Sequence, residues 1–86
     1  MPDTDADPVL FTQTGCAECA RVRSWLGEHD VGFIEWDAGA DANAAEALAA
    51  TGMFATPLLV VGRETVLGFR PEALAAALQT LGGGAS

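Results

Sequence analysis

The sequence contains no lysine and no tyrosine, one histidine (His29) and two cysteines. Four arginines stand against twelve acidic residues, a net charge of −8. A chain so acidic repels nucleic-acid phosphates and anionic membrane surfaces, so neither is an expected partner. No apolar run approaches the roughly 20 residues of a membrane span. The segment Met1–Pro8 has neither a basic stretch nor an apolar one, so no secretory signal is read there and a cytoplasmic location is expected. The cysteines, Cys16 and Cys19, are only three positions apart. A loop that short removes little chain entropy, so the pair is a poor structural staple. With His29 it also falls short of the about four ligands that zinc takes. A zinc or iron–sulfur site shared between two chains stays open as an alternative.

At 86 residues and 50% apolar character, the chain makes one small domain. An acidic, disordered tail is expected over residues 1–8 and a Gly-rich, flexible one over 82–86, leaving 9–81 as the folded unit. Within it, strand and helix signals alternate. Val9–Thr12 is a short apolar strand. A helical face follows in Val22, Trp25, Leu26 and His29, ended by Asp30 and Gly32. Phe33–Asp37 forms a second strand, and Asp41 caps an alanine-rich helix over Ala42–Ala50 that Gly52 stops. Pro57–Val61 and Thr65–Leu67 form a hairpin about Gly62–Glu64, and Pro71 opens a last helix over Glu72–Leu81. The order β-α-β-α-β-β-α predicts an α/β fold with one mixed four-stranded sheet covered by three helices. The first two strands must be parallel, since a helix crosses between them.

Cys16-Ala17-Glu18-Cys19 falls where the first strand ends and the first helix begins. Free N–H groups and the positive end of the helix dipole stabilise a thiolate at that point. Cys16, at the helix start, is the expected nucleophile. Cys19, one turn further in and partly covered, is expected to resolve the mixed disulfide. A CxxC in such a setting signals dithiol redox chemistry. Glu18 disfavours the neighbouring thiolate and so is expected to raise the Cys16 pKa. A reducing couple near the ~−270 mV of strong biological dithiol reductants follows, unless Glu18 is simply solvated. Arg21 and Arg23 are surface arginines that can also help an anionic partner dock. His29 reads as a helix-end cap, and Trp25 and Trp36 as core or sheet cover.

Over about Val9–Leu81 the chain resembles the small glutaredoxin-like redoxins of the thioredoxin fold. Three motifs in order carry the resemblance: the CxxC after a strand, Thr56-Pro57 before a strand, and Gly68-Phe69-Arg70-Pro71 before the last helix. The third is most similar to redoxins that donate electrons to ribonucleotide reductase. The resemblance implies a thioredoxin-like fold, a cis Thr56–Pro57 bond, and a substrate groove formed by Thr56, Pro57, Gly68, Phe69 and Arg70 beside the catalytic Cys16 and Cys19. It implies no cofactor beyond the Cys16–Cys19 disulfide. It further implies a monomeric protein-disulfide reductase recharged by thioredoxin reductase, with a disulfide-bearing protein such as ribonucleotide reductase as substrate. Glutathione-dependent members commonly carry a lysine before the CxxC and an acidic pair near the last helix, where this chain has Gln13 and Phe69-Arg70. A glutathione-dependent glutaredoxin is therefore the alternative reading, with Arg70 left as a handle for one carboxylate.

Overall fold

Alternating apolar residues in four short strands give the sheet two buried faces. The computed structural model describes residues 8–83. Its elements are β1 (Val9–Thr12), α1 (Ala17–Glu28), β2 (Ile34–Asp37), α2 (Ala42–Ala50), β3 (Leu58–Val61), β4 (Glu64–Leu67) and α3 (Pro71–Gly83). The strand order is β2-β1-β3-β4, with β1 parallel to β2, and β3 antiparallel to both β1 and β4. This is the β-α-β-α-β-β-α thioredoxin-like architecture with a mixed four-stranded sheet and three helices. Leu10 pairs with Leu59, and Leu59 with Val66, so one face carries these three against Val22 and Leu26 of α1 and Leu74 of α3. Phe11 and Leu58 point the other way and meet Leu48 of α2, with Trp36 stacked on Phe11 at 5.8 Å between ring centroids. The period-2 alternation thus puts α1 and α3 on one side and α2 on the other.

Helix ends follow their local chemistry. Asp41 caps α2 by accepting from the Asn43 N–H at 2.9 Å. At the end of α1, His29 is the C-cap and Asp30 adopts φ +57°. The Asp30 N–H then donates to Gly27 and the Val31 N–H to Leu26, the paired bonds of a Schellman ending. His29 is exposed, stacks on Trp25, and its Nδ1 donates to the Trp25 carbonyl at 2.8 Å, consistent with a capping role.

The starts of β2, β3, β4 and α3 each differ by one residue from the sequence reading, and both ends of the folded unit differ as well. Pro8 is buried, and its carbonyl accepts from the Ile34 N–H at 2.8 Å, because a parallel ladder draws a carbonyl from just before β1. The sheet therefore reaches one residue into the segment read as a tail. Likewise α3 runs to Gly83, since a formed helix adds a backbone bond for each further residue. Residues 1–7 and 84–86 of the expected tails lie outside the described residues.

Arg23 is not available to an anionic partner as its position suggested. Its Nε and Nη2 donate to the two carboxylate oxygens of Glu35 at 2.9 and 2.7 Å, tying α1 to β2. The buried Thr12 hydroxyl donates to the same carboxylate at 3.2 Å. Hydrogen bonding from Arg23 holds Glu35 below the usual carboxylate range, with partial burial opposing it. Both side chains are more than a third exposed, so the pair is worth no more than about 0.5–1 kcal/mol. A group whose folded pKa is lowered stabilises above its unfolded pKa and loses that contribution as pH falls through the folded one. Arg23→Ala is accordingly expected to lower stability by about 0.5 kcal/mol at pH 7 and to make little difference near pH 3. Urea unfolding of both proteins at the two pH values checks this, and a gap that widens in acid would refute it.

Candidate active site

The strand β1 delivers the chain to a tight turn, closed by the Cys16 N–H donating to the Gln13 carbonyl at 3.2 Å. Cys16 then stands at the N-cap of α1 in extended conformation, and its Sγ accepts from the Cys19 N–H at 3.0 Å. The sulfur thus sits where an N-cap oxygen would, held by a free helical N–H. Cys16 is half-buried, whereas Cys19 has no exposed surface, because the helix turns its side chain under the first turn. The two are joined as a disulfide with their Cα atoms 5.2 Å apart. One sulfur is open to a partner and the other waits beneath it.

The other residues singled out in the sequence gather around this pair. The Thr56–Pro57 bond is cis, as the resemblance implied. The Thr56 hydroxyl donates to the Gln13 side-chain oxygen at 3.4 Å, placing Thr56 beside the turn before Cys16. Pro57 is buried, and its carbonyl accepts from the Gly68 N–H at 2.8 Å, which stitches the α2–β3 loop to the β4–α3 loop. The next donor along, the Phe69 N–H, binds Glu18 Oε2 at 2.6 Å. Contacts therefore run in a ring from Cys16 through Gln13, Thr56, Pro57, Gly68 and Phe69 to Glu18 and back to the CxxC. Arg70 is exposed and has no ion pair among the described residues.

Gly68 suits this loop because its φ is +83°, a left-handed conformation, and a Cβ there would stand 2.9 Å from Glu18 Oε2, so the carboxylate would have to shift. Phe69 is half-buried against the α1/α3 core. It also lines an open groove of about 320 Å³ with Ala20, Arg21, Ser24, Trp25 and Glu28 along α1. Trp25 and Trp36 both cover core, as expected, although Trp25 also forms part of this groove wall.

Two residues have roles that the sequence reading did not assign. In the sequence Gln13 marks only the absence of a lysine, yet it bridges to Thr56. In the sequence Glu18 is a charge next to Cys16 or a solvated acid, yet its carboxylate is committed to Phe69, 51 positions away. No local pattern announces either contact. The glycine at 68 is the one sequence feature that hints at a close approach.

Comparison with known proteins gives a consistent outcome. The glutaredoxin family profile matches residues 9–66. The glutaredoxin-like protein NrdH of Lactococcus lactis subsp. cremoris is 29% identical over 66 residues, covering 77% of this chain and 92% of that protein. A thioredoxin-like protein of known crystal structure superposes with a TM-score of 0.78 at 30% identity, covering 83% of this chain and 99% of that one. The glutaredoxin-like NrdH-redoxin of Escherichia coli, which has a thioredoxin-like activity profile, superposes with a TM-score of 0.74 at 24% identity, over 83% and 93% of the two chains.

Proposed function

Because this chain belongs to the glutaredoxin family and is a thiol-disulfide oxidoreductase, we propose that it reduces protein disulfides through Cys16 and Cys19 and is recharged by thioredoxin reductase. The observation that carries this reading is the unequal placement of the two sulfurs, Cys16 half-open at the helix N-cap and Cys19 buried behind it. In the reduced protein the Cys16 thiolate attacks one sulfur of a substrate disulfide. A Cys16–substrate disulfide forms and the other substrate sulfur leaves as a thiolate, which takes up a proton. Cys19, losing its proton, then attacks Cys16 Sγ and releases the second substrate thiol. Two electrons pass to the substrate, and the Cys16–Cys19 disulfide stores the oxidation without any further cofactor. Helix α1 assists by stabilising the Cys16 thiolate from which the attack starts.

Thr56, Pro57, Gly68, Phe69 and Arg70 serve as the substrate groove. The Thr56 backbone beside the cis-proline can pair with an extended peptide as an added strand would. The choice of thioredoxin reductase over glutathione is supported by Gln13, whose amide brings no positive charge to the groove and leaves Arg70 to grip only one of glutathione's two carboxylates. The likeness to NrdH proteins and the thioredoxin-like profile of the Escherichia coli neighbour agree with that choice. On the same reading the chain works as a monomer in the cytoplasm, with ribonucleotide reductase or another disulfide-bearing protein as its substrate.

The test supplies NADPH and a disulfide substrate to metal-free protein, once with thioredoxin reductase and once with glutathione plus glutathione reductase. Turnover is expected in the first arm and at least about tenfold less in the second. The reverse ranking would make the protein a glutathione-dependent glutaredoxin. Silence in both arms, with the thiols shown to be free, would favour the metal-binding alternative at Cys16 and Cys19.

A further inference from the structure

The β4–α3 loop offers two consecutive backbone donors beside the CxxC, and the chain itself takes both. Gly68 N–H goes to the Pro57 carbonyl at 2.8 Å and Phe69 N–H to Glu18 Oε2 at 2.6 Å. The second bond joins a charge to a donor, which makes it the stronger kind. We propose that Glu18 is an internal ligand of the groove. Its carboxylate holds the donor that an incoming carboxylate would need, so the protein disfavours thiols bearing free carboxylates, glutathione among them, relative to peptide disulfides. The proposal rests on the reading of Gly68, Phe69 and Arg70 as groove wall.

Three observations converge on it. The contact is short and spans 51 positions, so it is not an accident of neighbours along the helix. Gly68 leaves the space that this carboxylate fills, since a Cβ there would stand 2.9 Å from Oε2. Glu18 is also exposed, so a ligand can reach and displace it, but only by removing one anion from the donor to install another. With Glu18 absent, the Phe69 N–H and the unpaired Arg70 could act on one carboxylate together. The simpler role for Glu18, an acid in the first turn of α1 that favours the helix dipole, predicts a small stability loss and no selectivity among ligands.

The distinguishing experiment needs no turnover. Oxidised wild-type, Glu18→Ala and Glu18→Gln proteins are titrated with S-methylglutathione and, separately, with its dimethyl ester, following backbone amide resonances that include Phe69. Glu18→Ala is expected to bind S-methylglutathione about tenfold more tightly than wild type, with the Phe69 amide among the shifted signals. The ester should bind all three proteins alike. Glu18→Gln should fall between, because its amide oxygen can still accept from Phe69 but carries no charge. Equal affinity of wild type and Glu18→Ala for S-methylglutathione would overturn the proposal, as would no measurable binding by any of the three or an equal gain for the ester. Melting temperatures of the three proteins verify that each is folded. Since binding is read on the oxidised chain, a failure of the proposed recharging by thioredoxin reductase would show in the turnover assay and leave this result separate.

Discussion

Cys16→Ser is expected to abolish disulfide reduction, a fall of at least about a thousandfold, while leaving the fold intact. A serine hydroxyl at the N-cap still accepts from the Cys19 N–H, so the helix start survives the change. It cannot ionise near neutral pH or form a disulfide. Cys19 cannot substitute, because it has no exposed surface from which to attack. Cys19→Ser should behave differently. Its Cys16 thiolate still attacks, but nothing releases the product, so a covalent adduct accumulates at Cys16. Mass spectrometry of each variant after exposure to a peptide disulfide separates the cases: an adduct on Cys19→Ser and none on Cys16→Ser. An adduct that formed readily on Cys16→Ser would reverse the assigned roles.

The second large effect lies in the core that holds the site. Leu10→Ala should destabilise the protein by about 3 kcal/mol. The total for a domain of this size is of the order of 5–10 kcal/mol. Leu10 has no exposed surface and sits on a central strand, in one cluster with Val22 and Leu26 of α1 and Leu59 of β3. Truncating it loses apolar burial and opens a cavity between the sheet and the helix that carries both cysteines. For a chain of this length the loss corresponds to a fall in melting temperature of about 15 °C. Ile34→Ala on the edge strand β2 is the contrast: its side chain is half exposed, and a cost below about 0.5 kcal/mol is expected. Urea unfolding of the two variants compares them directly. A loss below 1 kcal/mol for Leu10→Ala would mean that this cluster is not what holds α1 to the sheet.

Much of this protein was legible from local signals. Strand and helix periodicity, the Asp41 cap, the hairpin and the proline opening the last helix lie within a few residues of what they govern, so the order of elements could be read directly. The parallel pairing of β1 and β2 followed from the helix between them. The placement of Cys16 at a helix start needed only the strand before it and the helical face after it. Which strand lies beside which decided the rest. Because β3 inserts between β1 and β4, Thr56 reaches Gln13 and the Gly68–Phe69 loop comes over the CxxC. That arrangement turned Glu18 from a charge next to a thiol into the partner of a backbone amide. Likewise, the pairing of β1 with β2 placed Glu35 where the exposed Arg23 meets it. Periodicity, caps and turns express conformational preferences over a few residues, and the sequence alone determined those. Hydrogen bonds between residues 12 to 51 positions apart form only once packing has brought their elements together, and the tertiary structure alone decided which donors and acceptors would meet.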